Sequence, residues 1–578
     1  MSRDSRRWLR PYLKPVRRLF REVLATSLFV NLLALTVPVF VLQVYDRVVF
    51  SQGLSTLQAL VIGMALALGF DFILRQGRSR ILQRMALQID VSVGRALVDK
   101  LSRLPMRTLE SQPTPYWQAL FRDVEVVRNT LSGASAMLLG DLPFIILFFL
   151  LVAIVATPVV WVLVVMLGVF LTIAGLSSVR VGREGRVERE AVQSRDALVA
   201  EMLAGRSTIK ALALEPALRP RWTEAQAATI GAGLARGRAS DVYVNLAATL
   251  SLTTTIAMVS VGALAILDQR MTIGSLVAAN ILAGRFIQPL VQLVANWRTF
   301  GAFRDAAQRL GDVFGDAEER VETSVDLPRP KGAIAAEDLR YAYDAGSENP
   351  ILADLTFRLG PGGLHAVVGP NGSGKTTLLK LLQGLYLPQA GRVLLDGADL
   401  AQFSRAQLAQ WVGYVPQESF LFAGSIRDNI QLAWPEADDA AILRAAERAG
   451  LHALVADLPD GYATEVGEAG GRLSGGARQR IAIARALVSD PPVFMLDEPS
   501  GNLDHAAETE LVRHLKELAR DHTVVVATHS PVLLRAADSI MALRAGRMVA
   551  AGPAREMLAK LAGEKGPPAT ARPAAGTG

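Results

Sequence analysis

Between residues 20 and 300 the sequence contains six mostly apolar runs, each about 20 residues long, and these constrain the fold most strongly. A helical run of that length matches the hydrocarbon core of a bilayer. Within lipid every backbone polar group must be bonded internally, so only helices and closed barrels can cross. The sequence therefore predicts an all-α membrane domain with six helices, at about 22–45, 57–76, 139–157, 158–179, 242–267 and 273–295.

The segment before the first run, residues 1–21, contains eight Arg or Lys residues and one acidic residue. A secretory signal peptide is the alternative interpretation, but the apolar run that follows is too long and lacks a small-residue cleavage site. The net charge of +7 is explained by such basic flanks of membrane helices, which argues against nucleic-acid binding. We therefore interpret residues 1–21 as a basic cytoplasmic segment.

Residue usage excludes several kinds of chemistry. The chain contains no cysteine, which excludes disulfides, thiolate metal sites and cysteine nucleophiles. Its six histidines are scattered without the spacing of zinc ligands. Any catalysis must therefore depend on other residue types.

The distribution of positive charge predicts the orientation in the membrane. Stretches 77–138 and 181–241 are rich in Arg and Lys, whereas the connections at 46–56, near 157 and at 268–272 carry almost none. Because basic segments stay in the cytoplasm, both long stretches and both chain ends are expected there. An even number of spans requires the same result.

The two long polar stretches continue the helical periodicity of the runs beside them, so we expect helices that extend beyond the membrane. Their tips, near 110–123 and 205–216, are candidate contact points for the C-terminal half. Solvated helical hairpins without a role are the alternative. The third and fourth runs meet near Pro158, which predicts a tight hairpin with proline at the start of the second helix.

Charged residues within the apolar runs are few. Arg285 lies near the middle of the sixth run. A charge at that depth faces a protein interior or a water-filled path, and a buried ion pair that only holds helices together is an equal alternative. Asp71 and Arg75, four residues apart in the second run, predict a local ion pair.

The C-terminal half contains a glycine-rich phosphate loop. An apolar stretch at 365–368 predicts a strand, residues 369–376 read G-P-N-G-S-G-K-T, and an apolar helix is expected from Thr377. This is the G-x-x-x-x-G-K-[ST] pattern between a strand and a helix. Gly372 and Gly374 let backbone amides turn toward phosphate oxygens, Lys375 can reach the β- and γ-phosphates, and the Thr376 hydroxyl can ligate magnesium.

Two adjacent carboxylates follow a second hydrophobic strand. Residues 492–497 read P-V-F-M-L-D, so Asp497 ends the strand and is the expected partner of the magnesium ion of a nucleotide. Glu498 comes next and is placed to orient or deprotonate an attacking water. A solvated acid at a strand end is the alternative for Glu498.

A second glycine-bearing helix start lies at residues 473–480, which read L-S-G-G-A-R-Q-R. Ser474 is the expected cap of a helix that runs to about Leu487. Glycines just inside a helix reduce its stability, which is understandable if the backbone must approach an anion closely.

These motifs resemble those of the ATPase domain of ABC transporters, and residues 473–480 resemble the signature sequence of that family. Further motifs of the family occur in order: Tyr343 matches the aromatic residue that stacks on adenine, Gln417 the glutamine at the magnesium, Asp504 the aspartate loop, and His529 the switch histidine that contacts the γ-phosphate. The resemblance implies an α/β P-loop NTPase domain with ATP and Mg²⁺ as cofactors.

The resemblance also implies the roles of individual residues. Glu498, His529 and Gln417 would be catalytic, and Thr376, Gln417 and Asp497 would hold magnesium. The nucleotide-binding set would comprise Tyr343, Gly369, Asn371, Gly372, Ser373, Gly374, Lys375, Thr376, Thr377, Ser474, Gly475, Gly476 and Asp504.

In this family two ATPase domains pair head to tail, so each ATP would lie between one phosphate loop and the partner's residues 474–476. A chain with one ATPase domain and six spans would be half a transporter that works as a dimer, in which ATP binding closes the ATPase pair. A homodimer is expected, and a heterodimer remains open. Ala469 departs from the family, since arginine is usual at that position of the exporter-specific loop, and residues 500–504 read S-G-N-L-D instead of the common T-S-A-L-D.

The membrane half resembles the exporters of bacterial type I secretion systems, which move unfolded polypeptides. The similar segments are 31–35, 43–48, 141–144 and 278–285. The resemblance implies an inner-membrane location, a periplasmic adaptor (membrane fusion) protein and an outer-membrane channel as partners, and the short class without an N-terminal peptidase-like domain. A lipid or drug exporter of the same topology is the alternative, and a regulatory ATP-binding membrane protein that transports nothing is a more distant one.

The expected division of the chain follows from these patterns. It comprises the basic segment 1–21, a transmembrane domain at 22–312, a linker at 313–332, an ATP-binding domain at 333–562, and a disordered tail at 563–578 that is rich in Gly, Pro and Ala.

Overall fold

The computed structural model describes residues 8–320, 328–344, 349–501 and 503–563. The expectations for residues 1–7, for linker residues 321–327, for Asn502 of the aspartate loop and for tail residues 564–578 lie outside these ranges. The chain forms two compact units: one contains Met1–Ser102 and Gln112–Asp316, and the other contains Arg103–Ser111 and Ala317–Gly578.

The first unit is entirely helical over its described residues. Its α-helices are α1 Leu9–Leu33, α2 Thr36–Gln43, α3 Val49–Ser51, α4 Leu54–Arg103, α6 Thr114–Ser132, α7 Ala134–Asp141, α8 Phe144–Val155, α9 Val160–Ala204, α10 Arg206–Ala211, α11 Glu215–Leu267 and α12 Ile273–Gly315. A π-helical turn, Val44–Val48, follows α2, and a 3₁₀ turn, Thr157–Val159, precedes α9.

Six helical stretches among the described residues are long and apolar enough to cross a bilayer, which confirms the predicted number. They are Leu9–Val48, Leu54–Arg103, Thr114–Val155, Thr157–Ala204, Glu215–Leu267 and Ile273–Trp297. Several are far longer than the apolar run within them, as the continuing periodicity predicted. The 50 residues of α4 would span roughly 75 Å at 1.5 Å per residue.

The core of the first unit lies where α8, α9, α11 and α12 meet. Phe148, Phe170, Met258 and Phe286 are all at most 3% exposed there. Since lipid tails are as apolar as these side chains, close packing and interhelical polar contacts hold such helices together. One polar contact joins three helices: Arg78 of α4 donates to Asp141 of α7 at 3.0 Å and to Ser27 of α1 at 3.0 Å.

Two local predictions for the membrane half are confirmed. Pro158 lies in the 3₁₀ turn between α8 and α9, so the chain reverses where proline's missing N–H costs nothing. Asp71 and Arg75 form an ion pair on one face of α4, with Nε 2.6 Å from Oδ2.

In the described residues of the second unit there are ten strands in two sheets. The strands are β1 Ile334–Tyr341, β2 Leu352–Leu359, β3 Gly363–Val368, β4 Ala390–Leu395, β5 Ala398–Asp399, β6 Val412–Val415, β7 Val493–Asp497, β8 Thr523–Ala527, β9 Ser539–Arg544 and β10 Arg547–Pro553. The order β2-β1-β4-β5 forms an antiparallel sheet, and the order β10-β9-β3-β8-β7-β6 forms a sheet that is parallel except for β10.

The second unit also contains ten α-helices in its described residues, several of which pack against the mostly parallel sheet. They are α5 Met106–Glu110, α13 Lys375–Leu382, α14 Arg405–Trp411, α15 Ile426–Gln431, α16 Asp439–Arg448, α17 His452–Ala456, α18 Gly475–Leu487, α19 His505–Leu518, α20 Pro531–Ala536 and α21 Ala554–Gly563. The central strands β7 and β8 are buried along their whole length, as expected for a parallel sheet covered on both faces. In such a sheet a ligand binds at the carboxyl ends of the strands, where β3 and β7 both end.

Candidate nucleotide-binding site

The phosphate loop lies between β3 and α13, as predicted. Gly374 precedes α13 with φ +97°, a left-handed backbone that favours glycine. A Cβ at this position would also lie 2.5 Å from Leu352 Cδ2, so a larger residue would need both strain and displacement. The loop therefore reaches the start of α13 in a shape that aims backbone N–H groups into the cleft, where the helix dipole favours an anion.

Lys375 is the first residue of α13 and is buried. Its Nζ donates to the carbonyl of Gly369 at 2.9 Å and lies 3.0 Å from Nε2 of His529. Because an ammonium group can only donate, this Nε2 is the acceptor and the imidazole proton lies on Nδ1. One cation thereby connects the first glycine of the loop to the histidine that follows β8.

Asp497 ends β7 and is 1% exposed. Neither of its carboxylate oxygens forms a hydrogen bond of normal geometry within the described part of the chain. Burial raises the pKa of Asp497, and the nearby Thr376 hydroxyl and Lys375 ammonium oppose this shift. A buried carboxylate without partners is unfavourable unless a cation meets it, so this residue fits a metal-bound nucleotide.

Glu498 turns away from the strand in a left-handed conformation, with φ +47°. Its N–H donates to the carbonyl of Ala527 at 2.9 Å, which anchors the turn to the end of β8. Its carboxylate accepts from the backbone N–H of His529 at 3.3 Å and lies 3.5 Å from Nε2 of that residue. The backbone therefore holds the carboxylate next to the histidine.

Tyr343 also lines the cleft and is 45% exposed. Its hydroxyl is 3.1 Å from Oγ1 of Thr377, which connects the aromatic ring to the first turn of α13. Edge-on contacts with Tyr341 and Tyr386 support the ring from behind. Arg107 of α5 donates from Nη2 to the carbonyl of Tyr343 at 2.6 Å.

A second contact of α5 lies next to the same tyrosines. Glu110 accepts from Nζ of Lys380 at 2.9 Å and from the hydroxyl of Tyr386. Burial, followed by this bond to the Glu110 carboxylate, raises the pKa of Tyr386 well above its ordinary value. The segment Arg103–Ser111 is therefore tied by charge to α13, the helix that begins at the phosphate loop.

The structure brings most of the predicted site residues into one cleft of about 390 Å³. Its lining residues are Tyr343, Ile351, Asn371, Gly372, Ser373, Gly374, Lys375, Thr376, Thr377, Gln417, Asp497 and Glu498. Gly369 and His529 adjoin it through their contacts with Lys375.

Four predicted residues neither line this cleft nor adjoin it through Lys375. Ser474 caps α18, accepting from the N–H of Ala477 at 3.2 Å as predicted, and Gly475 and Gly476 form the first turn of that helix. Asp504 caps α19, accepting from the N–H of Ala507 at 2.8 Å. Ala469, the departure noted in the exporter-specific loop, is left-handed with φ +49°.

The sequence did not identify every residue that contributes to the site. Ile351 lines the cleft, and Arg107, Glu110 and Tyr386 support it. None of them belongs to a local motif. Glu110 begins the stretch near 110–123 that was predicted to contact the C-terminal half, but its partner Lys380, 270 residues away, was not predicted. Only a tertiary contact could reveal them.

This combination, a six-span helical unit and a P-loop ATPase unit in one chain, defines an ATP-hydrolysing membrane transporter. Sequence profiles agree: residues 20–290 match the ABC transporter transmembrane region, and residues 352–501 match the ABC transporter family model. The chain belongs to the ABC transporter family.

Two similar curated proteins cover both halves of the chain. The cyclolysin secretion/processing ATP-binding protein CyaB of Bordetella pertussis is 32% identical over 559 residues, which is 97% of this chain and 78% of that protein. The alpha-hemolysin translocation ATP-binding protein HlyB of Escherichia coli is 32% identical over 556 residues, which is 96% of this chain and 78% of that protein.

The fold is similar to a solved structure, that of a bacterial Atm1-family ABC exporter with ATP bound. The TM-score is 0.82 at 23% identity, and the match covers 94% of this chain and 97% of that one. This similarity confirms the predicted architecture of an exporter-type helical domain followed by a P-loop ATPase domain.

Proposed function

We propose that this chain is the permease and ATPase half of a type I secretion exporter, which couples ATP hydrolysis to the export of polypeptides across the inner membrane. The observation that carries the proposal is the 32% identity to CyaB and HlyB, which runs through the membrane half as well as the ATPase half. The names of these relatives refer to the secretion and processing of cyclolysin and to the translocation of alpha-hemolysin.

In this proposal the phosphate loop and Lys375 hold the triphosphate. Backbone N–H groups at the start of α13 bind the phosphate oxygens, and the Lys375 ammonium neutralises the charge of the terminal phosphates. Tyr343 stacks on the adenine. Its exposed ring and its bond to Thr377 support that assignment, because one end of the ring is fixed while its face stays open.

Glu498 acts in the proposal as the residue that orients the attacking water and accepts its proton. His529 lies beside it and contacts the γ-phosphate. The support is geometric: the turn after β7 holds the Glu498 carboxylate within 3.5 Å of the His529 ring. Gln417, which also lines the cleft, completes this catalytic set.

Thr376, Gln417 and Asp497 would hold the magnesium ion that accompanies ATP. The support is the buried Asp497 carboxylate, neither of whose oxygens forms a hydrogen bond of normal geometry within the described residues. When bound, the ion neutralises the charge that develops on the transferring phosphoryl group.

The working unit in the proposal is a dimer of two such chains. Ser474, Gly475, Gly476 and Asp504 stand apart from the cleft of their own chain, although the family places them at the nucleotide. A head-to-tail dimer accounts for this, because the first turn of α18 from one chain then meets the phosphates bound by its partner.

The remaining expectations belong to the proposal as well. They are a location in the bacterial inner membrane with the chain ends and the ATPase unit in the cytoplasm, a periplasmic adaptor protein, and an outer-membrane channel. The basic stretches on one side of the spans support the orientation. The adaptor and the channel rest on the similarity to the secretion proteins.

Deletion of the gene tests the proposed cargo. The proteins in the culture medium would be compared between the parent, the deletion strain, and the deletion strain complemented with either the native chain or Lys375→Ala. We expect at least one polypeptide to disappear from the medium, to return with the native chain, and to stay absent with Lys375→Ala. An unchanged set of secreted proteins, with altered efflux of lipids or drugs, would contradict polypeptide export.

A further inference from the structure

One face of α1 carries a row of positively charged side chains. It comprises Arg10, Lys14, Arg17 and Arg21, which follow one another at intervals of three or four residues, and we call it the basic stripe. At roughly 100° per residue these four side chains fall within a sector of about 60° around the helix axis. All four are exposed, and none has an ion-pair partner among the described residues. Their charges are therefore available to a partner outside this part of the chain.

A second face of α1, about 130° around the helix from the basic stripe, packs into the helical unit. Leu9, Val16 and Val23 on this face are at most 5% exposed. Trp8, the residue before the helix, stacks on Phe314 of α12 with ring centroids 4.8 Å apart. Because these contacts fix the rotation of α1 about its axis, the basic stripe is held on the outer side of the helix.

Toward the membrane the face that carries the basic stripe becomes apolar. Ala25, Leu28 and Leu32 continue the register of the stripe along α1, and they are exposed as well, Leu28 at 41% and Leu32 at 43%. The single acid of this helix, Glu22, lies to one side of the face and is 3.5 Å from Arg18. Because α1 is one continuous helix, a single exposed face is cationic at one end and apolar at the other.

The depth of the basic stripe follows from the length of the helix. The apolar run begins at about residue 22, so Arg21 lies at its edge. At 1.5 Å per residue, Arg17 is at most roughly 6 Å farther from the membrane and Arg10 at most roughly 16 Å farther. The polar headgroup layer is about 5–7 Å thick on each side of the hydrocarbon core. Arg17 and Arg21 therefore lie at the depth of the lipid phosphates, while Lys14 and Arg10 lie in the adjoining water.

A phospholipid with a net negative charge matches both ends of this face. Its phosphate suits the guanidinium groups, which bind phosphate through paired N–H donors, and its acyl chain suits Leu28 and Leu32. An acidic protein segment would match only the cations, and a symmetric contact with a second copy would oppose like charges. We infer that this face of α1 binds an anionic phospholipid, whose headgroup lies on Arg17 and Arg21 and whose acyl chain follows the leucines.

This inference depends on the spanning helix and not on the proposed cargo, so it can be tested on the purified chain in lipid vesicles. Because the sequence contains no cysteine, a single introduced thiol can carry a fluorophore. Ala25→Cys places the label between the basic stripe and Leu28, and Ile256→Cys, at a position 66% exposed on α11, is the control site. Quenching would be compared between phosphatidylglycerol and phosphatidylcholine whose acyl chains carry bromine.

We expect brominated phosphatidylglycerol to bind next to Ala25 at least about ten-fold more tightly than brominated phosphatidylcholine. The reason is that each Lys or Arg near an anionic lipid surface strengthens binding about five-fold. At Ile256 the two lipids should bind within about two-fold of each other. Equal binding of the two lipids at Ala25 would overturn the inference. So would the same preference at both sites, since it would not come from the basic stripe.

Paired substitutions assign the preference to individual cations. Arg17→Gln with Arg21→Gln should reduce the preference at the label to within about two-fold, and Arg17→Lys with Arg21→Lys should retain most of it. The matched control, Arg555→Gln with Lys560→Gln, removes two exposed cations of α21 and should change nothing. An unchanged preference in the glutamine pair, or an equal loss in the control, would contradict the assignment.

Two further measurements test the depth of the site and the role of the acyl chain. Arg10→Gln with Lys14→Gln removes cations that lie farther from the headgroups, where salt screens them, and should reduce the preference by no more than about three-fold. Excess inorganic phosphate, which has the charge but no acyl chain, should leave the lipid bound. Displacement by phosphate would make the stripe a general anion-binding patch and would overturn the inference.

The unfolding temperature of the detergent-solubilised protein keeps the test valid if a variant folds poorly. A lipid that binds only the folded state raises this temperature. We expect phosphatidylglycerol to raise it more than phosphatidylcholine does, both for the native chain and for Arg17→Lys with Arg21→Lys. For Arg17→Gln with Arg21→Gln the two lipids should raise it equally. An equal rise from both lipids in the native chain would overturn the inference.

Discussion

Glu498 shows how a single backbone conformation can prepare a site for chemistry. A left-handed conformation at a non-glycine residue costs roughly 1–3 kcal/mol and persists only where its surroundings enforce it. Here the bond from Glu498 N–H to the Ala527 carbonyl provides that enforcement, at the point where β7 leaves the sheet. The strain aims the carboxylate along the cleft and toward His529.

Replacement of Glu498 by Gln tests its proposed role. Glutamine has the same shape and can still accept from the N–H of His529, but it cannot take a proton from water. We expect the rate of ATP hydrolysis to fall by about 10²–10⁴-fold while ATP binding persists. Phosphate release and nucleotide retention on the purified transporter would be the measurements.

The matched control for Glu498→Gln is Glu517→Gln. Glu517 is an exposed acid on α19 that pairs loosely with Arg513 at 3.5 Å, and exposed ion pairs contribute little. Its variant should hydrolyse ATP at the native rate. An unchanged rate in Glu498→Gln itself would mean that another group activates the water.

His365 predicts a pH dependence of stability. This residue of β3 is buried, and its two nitrogens are 2.8 Å from Ser539 Oγ and 3.0 Å from the Gly362 carbonyl. Burial lowers its pKa below the ordinary value of 6.5. The unfolded chain then binds more protons than the folded one, so stability is complete above pH 6.5 and declines as pH falls toward the lowered pKa.

The measurement for His365 is the unfolding temperature of the purified protein, at a fixed scan rate, from pH 7.5 to 5.5. We expect the native protein to lose more than His365→Gln over this range, since glutamine does not titrate. His514, whose pKa burial also lowers, is present in both proteins and cancels in the difference. Parallel pH profiles would contradict the assignment.

At the scale of elements, a helix, strand or cap could be predicted from the sequence when residues close to one another in the chain determine it. The strand before the phosphate loop, the strand ending at Asp497 and the cap at Ser474 were predictable because backbone geometry and local side chains dictate them. The six spans were also predictable, because the bilayer fixes the length and the apolar composition of a spanning helix. The stretch from residue 110 onward was predicted to contact the C-terminal half, and Glu110 does so. The grouping of all of Arg103–Ser111 with the ATPase unit was not predicted, because it rests on contacts between residues over 200 positions apart.

The bonds of α5 predict that Glu110 and Lys380 are energetically coupled. Lys380 is only 20% exposed at its side chain, so losing Glu110 leaves a partly buried ammonium without its carboxylate. In a double-mutant cycle of Glu110→Gln and Lys380→Met we expect a coupling of about 1–2 kcal/mol. Hydrogen exchange of the α5 amides in the intact transporter would report it.

The control cycle for α5 uses an exposed pair of the same unit. Arg427 and Asp439 lie 2.8 Å apart with side chains 43% and 86% exposed, so solvent screens their attraction. Arg427→Met with Asp439→Asn should show little coupling. Additive effects at Glu110 and Lys380 would mean that their bond does not hold α5 in place.

At the scale of the whole molecule, different kinds of sequence feature identify the two units. The membrane unit is recognised from the length and apolarity of its helical runs and from the position of charged residues. These features predict helices but do not identify the cargo. The ATPase unit is recognised from particular residue types at fixed spacing, and these residue types indicate its chemistry.

A mixture of two defective chains tests whether each ATP is shared between copies. Lys375→Ala disables the phosphate loop, and Gly476→Asp places a negative charge in the first turn of α18. That charge suits a helix start but repels phosphate, so the helix should persist while the site fails. Each variant alone should hydrolyse almost no ATP.

In a mixed dimer the outcome depends on how the site is assembled. If the site is shared, one of the two sites combines the intact loop of the Gly476→Asp chain with the intact α18 of the Lys375→Ala chain. Random pairing then restores about a quarter of the native ATPase rate when the sites act independently. If each chain holds ATP by itself, every site in the mixture keeps one defect and no activity returns. Co-expression with two different affinity tags and sequential purification would isolate the mixed dimers, where the shared arrangement predicts about half the native rate.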